Sequence, residues 1–185
     1  MDLPEELANI LRIRKRSHSQ LTLVTGVFDV LHREHRRFLQ AASQLSDILL
    51  IGLESDQRVR ELKGEDRPIH SVSERQANLR DWGLADVIFT LPRDFGQASV
   101  RQEILQAIKP DFLAVSSHTP FLAVKRAELK AIGGQVKIVY QFNPQVSSTK
   151  LLRKAKNQSH TNDNQLFDNN QQSFNKPKST KKQKE

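Results

Sequence analysis

Leu21-Thr22-Leu23-Val24-Thr25-Gly26-Val27-Phe28-Asp29-Val30-Leu31-His32-Arg33-Glu34-His35 is the stretch whose reading decides the fold. It passes from an apolar run of strand length, through a glycine, into a segment of helical character beginning near His32. A glycine at such a junction lets backbone approach a ligand, while the free N–H groups and positive dipole of a helix start form an anion site. His32 and His35 stand three residues apart. In a helix that spacing puts both imidazoles on one face, where both can donate hydrogen bonds to one phosphate group. A bare His-x-x-His is more often a pair of solvated polar residues, and it is the strand and glycine ahead of it that favour a site.

Outward from this stretch, further apolar runs of strand length follow at Ile48–Leu53, Val87–Phe89, Phe112–Val115 and Val136–Tyr140. The segments between them read as helices at 33–45, 73–82, 98–108 and 120–132, with another at 148–156. Val100, Ile104 and Ile108 give the third a one-sided apolar stripe, and Gly133-Gly134 closes the fourth with the residue type a left-handed C-terminus favours. Strands alternating with helices imply a single Rossmann-like α/β domain, a five-stranded mostly parallel sheet flanked by helices. In such sheets ligands gather outside the carboxyl ends of the strands, so the loops after Thr25, Leu53, Val115 and Tyr140 are where chemistry is expected.

Leu3, Leu7, Ile10 and Leu11 recur at helical spacing behind Pro4, predicting an N-terminal accessory helix that runs into the basic stretch Arg12 to Arg16. Its apolar face suits either covering the sheet or forming a homodimer. From residue 157 the composition shifts to Asn, Gln, Ser and Lys, too poor in large apolar residues to offset chain entropy, which predicts a disordered basic tail. The expected organisation is therefore 1–18 helix and basic segment, 19–156 folded domain, 157–185 tail.

The 185 residues include no cysteine, which excludes disulfides, thiolate metal sites and a cysteine nucleophile. No apolar run approaches the roughly 20 residues that cross a bilayer, and the opening residues lack signal-peptide order, so a cytoplasmic protein without membrane partners is expected. A net charge of +8 suits polyanionic partners from nucleotides to nucleic acid. Without aromatic interleaving, the basic runs license only weak, nonspecific nucleic-acid binding.

Thr25 to His35 resembles the G-x-F-D-x-x-H-x-G-H signature of the cytidylyltransferase-like nucleotidyltransferases, particularly the heptose-phosphate adenylyltransferases and glycerol-3-phosphate cytidylyltransferases. Leu62-Lys63-Gly64-Glu65-Asp66-Arg67-Pro68 followed by Ser73-Glu74-Arg75 is similar to that family's L-K-G-x-x-R-P and E-R elements. Val146-Ser147-Ser148-Thr149-Lys150-Leu151-Leu152 is similar to its I-S-T-[ST]-x-I-I element. The resemblance implies transfer of AMP or CMP from ATP or CTP, with Mg²⁺, to a phosphorylated sugar or polyol, with release of pyrophosphate and no covalent enzyme intermediate. It further implies that His32 and His35 contact the triphosphate, with Lys63 as a mobile cation. Thr25, Gly26, Val27 and Phe28 would form the nucleotide floor, and Asp29 would line the acceptor side. Arg75 would contact nucleotide, while Ser147, Ser148 and Thr149 would cap a helix and hold the β- and γ-phosphates.

Two positions depart from the family pattern. Glu34 stands where the motif has glycine, and Ala114-Val115-Ser116-Ser117-His118 replaces a V-K-G-x-D-like run. A carboxylate held ~4 Å from a phosphate charge costs about 4 kcal/mol at an effective dielectric near 20 unless Arg33, Arg36 or Arg37 compensates it. These departures leave a second reading beside the enzyme: a catalytically silent, nucleotide-binding relative serving as sensor or interaction module.

Overall fold

The computed structural model describes residues 4–141. All of them lie in the first of the two units into which the chain divides, Met1–Pro144 and Gln145–Glu185. Five strands follow in chain order: β1 (Leu21–Gly26), β2 (Ile48–Leu53), β3 (Val87–Thr90), β4 (Phe112–Ser116) and β5 (Gln135–Tyr140). They form one sheet in the order β3-β2-β1-β4-β5, every pairing parallel. The chain thus builds outward from β1 in one direction to β3, then returns to the other side of β1 for β4 and β5. The order reverses at the β1/β4 boundary, the place where such sheets open a binding crevice.

Strand alternation assigns each apolar residue to a layer. Leu21 and Leu23 of β1, Ile48 and Leu50 of β2, Val87 and Phe89 of β3, and Leu113 and Val115 of β4 share one buried cluster with Leu7, Ile104, Leu105, Ile108 and Leu129. Val24, Leu49, Ile51, Leu53, Ile88 and Ala114 share the other with Leu39, Ala42 and Leu79. The first layer is therefore covered by α1 (Glu5–Ser17), α5 (Ala98–Ile108) and α6 (Leu122–Ala131), and the second by α2 (Arg33–Ser43) and α4 (Val72–Arg80). Leu7 is fully buried, with Ile10 and Leu11 packed on the same cluster. These three apolar residues of the first helix pack on the chain's own sheet, while Ile13 is exposed.

The basic stretch is partly spent as well. Arg14 donates to the carbonyls of Ile108 (2.9 Å) and Lys109 (2.7 Å) and to Asp111 Oδ2 (2.8 Å). Its guanidinium thereby satisfies carbonyls that the end of α5 leaves open. Gly133 adopts φ 85° past α6, as the paired glycines suggested.

One helix is absent from the sequence expectation: α3 (Asp56–Lys63). It buries only Val59, so no apolar stripe announces it, but Ser55 caps it by accepting from the Arg58 N–H at 3.3 Å. Lys63, expected as a mobile cation, is its last residue. The expected helix at 148–156 and the expected tail at 157–185 lie outside the described residues. Among the described residues, no helix is long and apolar enough to cross a membrane.

Candidate active site

The site is assembled where β1 ends. Glu54, the residue after β2, donates its N–H to the Gly26 carbonyl at 3.0 Å and locks the two strand ends side by side. Phe28 then takes a left-handed conformation, φ 48°. Its ring turns back against the strand end, and a Cβ on Gly26 would meet Phe28 Cε2 at 2.8 Å. Gly26 therefore makes room for Phe28, where the sequence had suggested room for a ligand. The same ring lies 5.3 Å from that of His35 at an interplanar angle of 60° and backs it.

His32 is outside the helix proper. It is the N-cap of α2 in extended conformation, φ −146° and ψ 169°. The rings of His32 and His35 nevertheless stack, 3.8 Å between centroids and 17° between planes. Burial pushes His35 down to about 3, reinforced by the neighbouring charges of His32 and Lys63. Burial also lowers His32, opposed by the Glu34 carboxylate. Near neutral pH both rings are uncharged, and each carries one N–H and one bare nitrogen. Their Nδ1 atoms are enclosed without a hydrogen-bond partner.

Glu34 is buried, 5% exposed. Its Oε1 accepts from Arg33 Nε at 3.0 Å and from Arg37 Nη1 at 3.1 Å. Two guanidiniums thus face the carboxylate that replaces the motif glycine. Arg36, the third candidate for that role, instead lies over the Trp82 ring.

Two expected ligand contacts turn out to be internal. Asp29, expected on the acceptor side, is 2% exposed. It accepts from the N–H groups of Ile69 (3.0 Å) and His70 (2.9 Å) and pairs with Arg67 at 2.6 Å. Its carboxylate pins the 67–70 loop and is turned away from solvent. Arg75, expected to contact nucleotide, is 0% exposed. It donates to the carbonyls of His70 (3.1 Å), Val27 (2.7 Å) and Glu54 (2.8 Å) and to Asp56 Oδ1 (2.7 Å). A side chain with so many separate donors is the one that can tie four backbone segments together.

Lys63 does belong here. Burial and then the charges of Arg67 and Arg75 lower its ammonium below the ordinary lysine value, while Asp29 opposes them. Its own charge is among those felt by His35. Of the loop after β4, Ala114, Val115 and Ser116 lie within the strand, and Ser117 donates its N–H to the Tyr140 carbonyl at 2.9 Å. Ser147, Ser148 and Thr149 lie outside the described residues.

Sequence reasoning did not single out Glu54 or Arg58, and it quoted Arg67 only as the arginine of the Leu62 to Pro68 element, without a role. Among the described residues, every enclosed side-chain polar atom without a hydrogen-bond partner belongs to one of these three or to His32 and His35. Natively buried polar atoms are nearly always partnered, so orphans gathered at one end of a sheet mark a surface made for a polar ligand. A signal was present: Glu54 is the first charged residue after a strand whose six residues are all buried.

The reversal of strand order, with a histidine-bearing turn at that boundary, defines a Rossmann-like α/β domain with its candidate site outside the strand ends. Residues 23–172 match the cytidylyltransferase-like family model, and the chain belongs to that family. It is 33% identical over 150 residues to the bifunctional protein HldE of Pelobacter propionicus, covering 80% of this chain and 30% of that protein. To the HldE of Syntrophotalea carbinolica it is 31% identical over 138 residues, covering 74% of this chain and 27% of that one. The chain thus spans less than a third of the length of these relatives. In fold it is similar to a lipopolysaccharide core biosynthesis protein from Thermoplasma volcanium, with TM-score 0.54 and 23% identity over 68% of this chain and 97% of that one. It is likewise similar to pantothenate synthetase from Thermus thermophilus, with TM-score 0.56 and 16% identity over 82% of this chain and 67% of that one.

Proposed function

We propose that the domain transfers AMP or CMP from ATP or CTP to a phosphorylated sugar or polyol. An oxygen of the acceptor's phosphate attacks the α-phosphorus, a new P–O–P bridge forms, and the bond to the β-phosphate breaks as pyrophosphate leaves with the electron pair. Catalysis of this kind is chiefly positioning and charge stabilisation. The observation that carries the proposal is the stacked pair His32 and His35, uncharged and with unpartnered ring nitrogens at the start of α2. Neutral imidazoles can donate to phosphate oxygens as charge moves toward the leaving group. Lys63 and Arg67 supply the nearby cations.

Mg²⁺, which the family resemblance implies, would neutralise triphosphate charge when bound. Among the described residues no group of three or more histidines and carboxylates could hold a metal ion. Mg²⁺ commonly keeps several waters and is held through substrate phosphates with one or two carboxylates. A sugar-phosphate acceptor is favoured by the resemblance to heptose-phosphate adenylyltransferases and by the similarity to HldE proteins.

The test is pyrophosphate release from ATP or CTP with Mg²⁺ and a panel of sugar and polyol phosphates. Acceptor-dependent release is expected, and His35→Asn is expected to reduce kcat by about a hundredfold or more. Absence of release with every acceptor, beside a working relative, overturns the proposal. Nucleotide binding without release would favour the silent reading, for which the buried Glu34 is the motivating observation.

A further inference from the structure

A second recess opens at the same end of the sheet, beyond the histidine turn. Arg58, Glu61, Arg93, Asp94, Gly96 and Gln97 line a cavity of about 440 Å³ between α3 and the loop after β3. That size suits a small ligand. Its walls mix signs: Arg93 Nε donates to Glu61 Oε1 at 2.7 Å, and Arg58 Nη1 lies 3.7 Å from Glu61 Oε2. The Arg58 guanidinium covers Gly96 so closely that a Cβ there would collide with it.

Arg58 Nε is enclosed without a partner, and so is Glu54 Oε2. The two groups sense each other: burial raises the Glu54 carboxyl above its ordinary value, and the Arg58 charge opposes this. Glu54 is fixed at both backbone groups, its N–H to Gly26 and its carbonyl to Arg75. Arg58, which lines the recess, and Glu54, the residue after β2, thus each keep one polar atom without a partner, one a donor and the other an acceptor. Hydroxyl groups, which donate and accept at once, can satisfy both, and a vicinal pair does so best. A phosphate would meet the carboxylates of Glu54, Glu61 and Asp94 against only two guanidiniums.

We propose that Glu54 and Arg58, with the recess beside them, take the polyhydroxylated part of the second substrate, Glu54 accepting through Oε2 and Arg58 donating through Nε. The proposal rests on the transferase reading for the substrate's phosphate end, and it deepens that reading by assigning the residues that select its hydroxyls.

The probes are mannose 1-phosphate and n-propyl phosphate, titrated calorimetrically into the full chain with a non-hydrolysable ATP analogue present. The two share a phosphate monoester and differ in hydroxyls. Wild type is expected to bind the sugar phosphate about tenfold more tightly or better, the worth of one or two hydrogen bonds to charged groups. Glu54→Gln and Arg58→Gln should each remove most of that preference while leaving the affinity for the ATP analogue in place. Equal binding of both phosphates by wild type, or an undiminished preference in Glu54→Gln, overturns the proposal. Should Arg58→Gln not fold, the near-isosteric Glu54→Gln decides alone. Pyrophosphate release is read separately. Preference without release leaves the hydroxyl subsite standing and removes the transferase reading; release with the preference intact in Glu54→Gln does the reverse.

Discussion

Replacing His35 by asparagine should change how folding stability depends on pH, by an amount the burial of the ring sets. The imidazole is held at about 3 in the folded protein against an ordinary value of 6.5. Between those values the unfolded chain binds a proton here that the native state refuses, so stability falls as pH is lowered through 6.5 and continues to fall toward 3. At pH ~5 the unfolded state has gained a factor of about 30 from this one group, or about 2 kcal/mol, and near pH 3 the loss is roughly 4 kcal/mol. Asparagine cannot titrate, and the contribution of His32 is largely common to both proteins. Urea titrations of wild type and His35→Asn at pH ~7.5 and ~5 should therefore show wild type losing about 2 kcal/mol more than the variant across that interval. A stability difference between the two proteins that is the same at both pH values refutes the reasoning, because the ring would then be taking up its proton in the folded state as freely as in the unfolded one.

Removing the cations of the Glu34 clamp in Arg33→Ala/Arg37→Ala should weaken ATP binding by about tenfold or more in calorimetry, and adding Glu34→Gly should restore most of it; no restoration would mean that the arginines serve elsewhere. Arg75→Met leaves three carbonyls and Asp56 without their donor, and a loss of about 3–5 kcal/mol in urea denaturation is expected, against less than about 1 kcal/mol if the arginine were a surface cation. Gly26→Ala forces the Phe28 ring away from the strand end, which should cost about 1–3 kcal/mol in thermal or urea unfolding and weaken nucleotide binding at the same time; an unchanged midpoint would show that the ring is not packed there.

The parallel sheet was legible because its inner strands are buried on both faces and read as unbroken apolar runs, Ile48 to Leu53 most plainly. The histidine turn was legible for a different reason: an apolar strand and a glycine stand ahead of it, and Thr25 to His35 resembles a family signature. Helix α3 was not legible, since an eight-residue helix with one buried side chain has no periodicity to detect. Asp29 and Arg75 were recognised as special and given the wrong partners. Charged residues beside a ligand motif suggest ligand contact, and nothing local to either one shows that its partners are the backbone of segments some 20 to 50 residues away. Such pairings are fixed by tertiary closure alone. Glu54 was overlooked although it is the first charged residue after a fully buried strand, because that position does not show that a carboxylate oxygen lacks its partner.

Those buried charges explain why the site can keep unsatisfied groups without collapsing onto them. Arg75 joins the motif turn at Val27, the end of β2 at Glu54, the start of α3 at Asp56 and the loop at His70, while Asp29 and Arg67 hold that loop from its other side. Among the described residues, each segment that carries an orphaned atom is therefore attached to the same small knot. A side chain such as His35 or Glu54 could find a partner only by moving its segment, and that would break bonds in the knot whose loss costs more than one satisfied nitrogen or oxygen returns. The orphaned atoms are thus kept unpartnered, and the energy that holds them so comes from the hydrogen bonds of Arg75 and Asp29. Substitutions at Arg75 or Asp29 should consequently loosen the histidine turn, the Lys63 helix and the 67–70 loop together, seen as a shared loss of amide-exchange protection, whereas substitutions at His32 or Lys63 should leave that protection in place.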